Sequence, residues 1–172
     1  LTVAVAEGLL AGDGFTIESQ VESHLSAYHA IEKTRNHKGE WSVRGWGGST
    51  TASMERLNAG VPPHFSGQVE GAGNGVLMKM APLIYWQAAR DVDAVTRYRQ
   101  YDELTTMTHN SDIARACTRL HGEATHWLLE HPGASTSEFR AEVLTLLAGE
   151  PSADPKGRIE RAMRFPVRTL TQ

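Results

Sequence analysis

Residues 71 to 83 read GAGNGVLMKMAPL. Gly71, Gly73 and Gly75 fall within five residues, with Asn74 between the last two. That density of glycine fits neither a helix nor an ordinary strand, because glycine permits unusual backbone angles and close approach of other atoms. An apolar run follows at helical spacing: Leu77, Met80, Ala81, Ile84 and Ala88, with Leu83, Tyr85 and Trp86 beside it. The stretch therefore predicts a tight glycine loop feeding a central, buried helix from Val76 to about Ala89. Pro82 is tolerated in the first turn or so, and kinks the helix if it lies later. Such a junction offers free backbone N–H groups and the positive end of a helix dipole, which suits an anion. A tight turn into a core helix, with no ligand, is the plainer reading of the local pattern. No strand precedes the glycines as a dinucleotide fingerprint requires, and no Gly-Lys-Ser/Thr of a P-loop follows. Met78 is expected in the core. Lys79 reads either as a cation near a bound phosphate or as a solvated lysine.

Upstream, Leu1 to Ala11 predicts a helix whose apolar surface is Val3, Val5, Ala6, Leu9 and Leu10, ended by Gly12-Asp13-Gly14. No capping residue precedes it. Thr16 is the expected N-cap of a second helix over Ile17 to Lys33. His24 and His29 in that helix point about 140° apart, so they cannot share a metal; a core-edge His24 and a solvated His29 are expected. Thr34 to Gly48 reads as a polar loop carrying Trp41 and Trp46. Ser49 or Thr50 is the expected cap of a short helix stopped by Gly60. Trp46 either stacks on a base or ribose or packs into its own loop. Val61 to Glu70, with His64, reads as loop.

Downstream, Asp91 or Asp93 starts a helix over Ala94 to Met107, and Ser111 caps a long one over Asp112 to His131. Between them lies Thr108-His109, where the histidine is a candidate ligand contact or merely ends a helix. HGEATH, at 121 to 126, imitates the zinc motif HExxH but spaces its histidines wrongly. His121, His126 and His131 are expected as helix-surface residues. Ser135 or Thr136 caps Glu138 to Leu147, a loop covers Gly149 to Lys156, and a last helix starts near Gly157. Strand signals are weak throughout. The expected class is all-α, a compact multi-helix orthogonal bundle forming one domain.

The composition limits function. The chain has 172 residues, is 40% hydrophobic and carries a net charge of −3, so it can bury a core and shows no basic patch for nucleic acid. The single Cys117 leaves no internal disulfide and no Cys-rich zinc site, which fits a reducing, cytoplasmic setting. No apolar run is long enough to span a bilayer, and no signal peptide is visible. The uncapped first helix and the closing RFPVRTLTQ read as a domain incomplete at both ends.

Gly73-Asn74-Gly75 followed by Met78, Lys79 and Pro82 resembles the GNGxxM[R/K]xxP signature of the ADP-ribosylglycohydrolase family, including its ADP-ribosyl-[dinitrogen reductase] hydrolase-like members. LTVAVAEGLLAGDGF resembles the helix after that family's Thr-Asp-Asp-Thr motif, and LTTMTHNSDIARAC resembles its Thr-His turn. The resemblance implies an all-α hydrolase that removes ADP-ribose from modified side chains with two divalent cations, magnesium or manganese. Those cations would bind the ribose hydroxyls and a water and stabilise charge as the bond breaks. It implies that Gly73, Asn74 and Gly75 line the ADP-ribose pocket and that His109 and Trp46 help hold the ligand. The expected partner is ADP-ribose or an ADP-ribosylated protein, with no nucleic acid and no membrane. The family's metal carboxylates lie in Thr-Asp-Asp-Thr and in a later Asp-x-Asp-Thr, and neither motif occurs in this sequence. No catalytic or metal residue is therefore assigned, and no tight metal binding or turnover is expected of these residues alone. The alternatives are a non-catalytic ADP-ribose binder or structural relative, and an unrelated helical protein. The last would leave the glycine loop and His109 far apart.

Overall fold

Gly8 marks the closest approach of the first two helices, α1 (Thr2–Ala11) and α2 (Ile17–Ala30). A side-chain carbon at Gly8 would fall 2.6 Å from Gln20 Nε2 and 2.8 Å from Ser23 Oγ, so the helices meet through the missing side chain. The Gln20 amide then donates to the Val5 carbonyl at 3.2 Å. Thr16 caps α2 as expected, its hydroxyl accepting from the Ser19 N–H. Val5 and Leu9 are buried, while Val3 and Leu10 are exposed.

A computed structural model describes residues 1–31, 33–35, 41–43, 45–71, 73–151 and 153–164. Ala72, and the closing sequence from Phe165 onward, lie outside them, as does much of the loop read over Thr34 to Gly48. Within that loop, β1 (Lys33–Arg35) pairs antiparallel with β2 (Trp41–Val43), a hairpin the weak strand signals did not predict. Val43 is buried and docks it on the core. Helix α3 (Gly48–Asn58) follows, then α4 (Pro63–Ser66), a single turn inside the expected loop.

The expected continuous helix from Val76 is broken. Leu77–Lys79 is a 3-10 turn, and α5 spans Ala81–Ala88. Proline is the cause: Pro82 has no N–H to give the Met78 carbonyl, and its ring would crowd it. That carbonyl accepts from the Thr2 hydroxyl instead, at 3.1 Å, and Pro82 settles in the first turn of α5, where proline is tolerated. The break turns Met78 outward. It is 66% exposed, against the core position expected, while Met80, Leu83 and Ile84 are fully buried.

Helices α6 (Ala94–Thr106), α7 (Asp112–Glu130), α8 (Thr136–Ala148) and α9 (Ala153–Arg164) complete the all-α fold. Asp93, Ser111 and Ser135 cap the first three through side-chain oxygens. The last helix begins four residues earlier than Gly157, with Pro155 in its first turn. Tyr101, Leu104 and Met107 of α6 share one core with Met54, Leu57, Met80, Leu83 and Ile84. Several buried polar groups pair between α5, α6 and α7, while the Tyr101 hydroxyl has no hydrogen-bond partner among the described residues. Arg97 binds Glu123 through both arms of its fork, and Gln87 donates to Gln100 at 2.8 Å. His126 Nε2 lies 3.3 Å from Gln87 Oε1, so His126 is buried, not on the surface as expected. His131 is on the surface, stacked on Trp127 with ring centroids 4.3 Å apart.

Candidate ligand site at the glycine loop

The site is fixed by a close backbone contact. Gly67 packs so tightly that a Cβ would fall 2.0 Å from the Thr106 carbonyl oxygen. The contact lets Gln68 form a parallel bridge with His109: its N–H donates to the Thr108 carbonyl at 3.3 Å, and its carbonyl accepts from the Asn110 N–H at 2.9 Å. Ser53 donates to the same Thr108 carbonyl at 3.0 Å, and Ser66 donates to the Met107 carbonyl at 2.7 Å. The cap residue Ser111 donates to the Gly71 carbonyl at 2.7 Å. The histidine turn and the glycine loop are thus held together by α3, α4 and the start of α7.

His109 is brought against the glycine loop. Its side chain is almost wholly buried, and Nδ1 lies 2.9 Å from the Thr108 hydroxyl. A side-chain carbon at Gly73 would stand 3.6 Å from His109 Nε2. One at Gly75 would stand 3.9 Å from the same atom and 3.8 Å from Thr50 Oγ1. Those are ordinary contact distances, and neither glycine has a left-handed φ. Neither is therefore required by the backbone or by packing; what each does is leave open the space over His109. Gly73 and Asn74 are exposed and Gly75 is half-buried. Burial, and then the nearby Lys79 charge, lower the His109 pKa to about 4, so at neutral pH the imidazole is uncharged and can offer one donor and one acceptor.

Thr50 sits in the first turn of α3, whose N-cap is Gly47, not Ser49 or Thr50 as expected. The N-terminus carries no side-chain cap bond and no acidic residue in its first turn. Side-chain carbons at Gly47 and Gly48 would meet nothing within 4 Å. An uncapped, open helix start beside the glycine loop leaves backbone N–H groups for an anion. The described contacts of Trp46, directly before this N-cap, are with the core and with Tyr28, at 6.2 Å between ring centroids.

Beneath the loop, Lys79 is 1% exposed, which overturns the solvated reading. Its Nζ lies 3.3 Å from His24 Nε2. His24 Nδ1 lies 2.7 Å from the Gln20 carbonyl, which can only accept, so Nδ1 carries the proton and Nε2 accepts from the lysine. His24 is fully buried rather than at the core edge. Desolvation lowers the Lys79 pKa to about 7. Burial first, and then the lysine charge, hold His24 well below the ordinary histidine range.

Sequence reasoning did not single out Thr50, Thr108 or the Lys79–His24 pair as one group. Their only signal is position: a Ser/Thr run after Gly47-Gly48, a Thr beside the His, and a basic residue four after Gly75. Among the described residues no three His, Cys, Asp or Glu side chains converge as metal ligands. A groove of about 690 Å³ lies elsewhere, between α2, α4 and α6.

An all-α fold with a glycine loop packed against a buried, neutral histidine is the class that fold and site define. The family model for ADP-ribosylglycohydrolase matches residues 1–171, and the chain belongs to that family. No curated protein and no solved structure matches it.

Proposed function

We propose that this chain binds ADP-ribose between the Gly73–Gly75 loop and the start of α3, as part of a hydrolase that removes it from a modified side chain. The observation that carries the reading is the open space that Gly73 and Gly75 leave over His109 Nε2. The diphosphate would meet the free N–H groups at Gly48 and Ser49, and His109 would hydrogen-bond a ribose or phosphate oxygen. Two magnesium or manganese ions, bound by carboxylates outside the described residues, would supply Lewis-acid stabilisation. A cytoplasmic setting is part of the proposal, supported by the single cysteine. Among the described residues no helix is long and apolar enough to cross a membrane.

Calorimetric titration with ADP-ribose tests the binding. Saturable binding is expected, weakened at least tenfold in Gly73→Val and Gly75→Val, with the helical circular dichroism unchanged. Wild-type affinity in both folded variants would overturn the assignment. That no carboxylates converge among the described residues favours a second reading, a non-catalytic ADP-ribose binder. Release of ADP-ribose from a modified peptide after adding manganese to this chain would rule that reading out.

A further inference from the structure

The groove between α2, α4 and α6 has no role in the site above. Its floor is apolar, from Ile17 and Val21 of α2 and Pro63 of α4. Its rim is acidic on both walls: Glu18 and Glu22 on one, Asp102 and Glu103 on the other. No lysine or arginine lines it. Asp102 is already met by Arg119 at 2.9 Å, and Glu103 weakly by Arg99 at 3.5 Å. Glu18 and Glu22 have no ion pair among those of the described residues. They lie four apart on α2, so their carboxylates fall on one side of the helix, beside the Ile17 and Val21 of the floor.

Two features point to a polypeptide occupant. The groove is an open trough rather than an enclosed cavity, and one of its walls is hydrogen-bonded to the histidine turn. His64 in its wall accepts, through its carbonyl, a hydrogen bond from Asn110 Nδ2 at 3.2 Å, and Asn110 is the residue after His109.

We propose that this groove docks a short cationic segment of the modified protein, one or two apolar side chains on the floor with lysine or arginine on either side. The inference rests on the proposed function for the identity of the partner. The charge pattern selects the sign of the segment, and the apolar floor selects for a side chain between its cations.

The test is fluorescence anisotropy with a labelled, unmodified peptide of alternating lysine, leucine and arginine, against a counterpart with glutamate in place of each cation. The cationic peptide should bind and the acidic one should not. Raising salt from low to high should weaken binding at least tenfold. Glu18→Lys/Glu22→Lys should weaken it at least tenfold as well, and Glu18→Gln/Glu22→Gln serves if the charge reversal perturbs α2. The proposal is overturned by equal binding of both peptides, by unchanged affinity in a folded double variant, or by no binding at low salt. Titration of the same protein with free ADP-ribose reads the glycine-loop site separately. Peptide binding without ADP-ribose binding defeats the functional reading alone, and the reverse defeats the groove alone.

Discussion

Lys79 and His24 form a buried cation–imidazole contact, Nζ to Nε2 at 3.3 Å, with no carboxylate paired to the lysine among the described residues. The lysine lies in the 3-10 turn that follows the glycine loop, and its charge reaches His109 as well. A buried ammonium without a counter-charge is costly, and the protein meets the cost by letting the lysine lose its proton near neutrality.

That arrangement predicts how stability depends on pH. The folded Lys79 titrates at about 7 and the unfolded one at 10.5. Between those values the unfolded chain holds more protons, so stability should rise with pH, at up to ~1.4 kcal/mol per unit. Urea unfolding of wild type and Lys79→Met at pH 7, 8 and 9 checks this. The rise should appear in wild type and flatten in the variant; a level or falling wild-type curve contradicts the assignment.

His109 gives a second window with the same sign. Its folded pKa of about 4 lies below the ordinary 6.5, so stability is complete above pH 6.5 and is lost as pH falls toward 4. His24 adds to the loss in the same direction. His109→Gln should unfold less steeply with acid than wild type, measured by circular dichroism between pH 4 and 7.

Gly67→Ala should be among the most damaging small substitutions. Its Cβ would sit 2.0 Å from a backbone oxygen, which has no flexible end to move aside. Overpacking of this kind costs ~1–3 kcal/mol, and here the upper end is expected. The Gln68–His109 bridge should loosen with it, seen as faster amide exchange at Asn110.

Glu123 predicts a double-mutant result. Breaking its buried pair with Arg97 by Glu123→Ala should cost ~3–5 kcal/mol, because the guanidinium is left without its carboxylate. Arg97→Met/Glu123→Met should recover much of that loss. Equal destabilisation by the single and double variants would contradict the pair's role.

The helix caps were legible because they are local: Thr16, Asp93, Ser111 and Ser135 each accept from the backbone three residues on. The glycine loop and the Thr-His turn were legible as candidates for one site through the family resemblance, whereas Gly67 and the Gln68 bridge, which hold the two together, were not. Sequence reasoning failed where partners come from other elements. The buried face of α7 includes Thr118, Glu123 and His126, bonded to Thr105, Arg97 and Gln87; of these His126 was expected on the surface. Met78 was misplaced because Pro82 broke a helix that the periodicity carried through. The α3 cap was misread because Gly47 fills it without a side-chain bond.

The most direct test of the central claim is the imidazole nitrogen shift of His109 during titration with ADP-ribose, in protein labelled with nitrogen-15 at histidine and assigned by His109→Gln. A saturable change at His109 Nε2, absent in Gly75→Val, is the predicted result. Saturable ADP-ribose binding that leaves the His109 nitrogens unmoved would contradict the site.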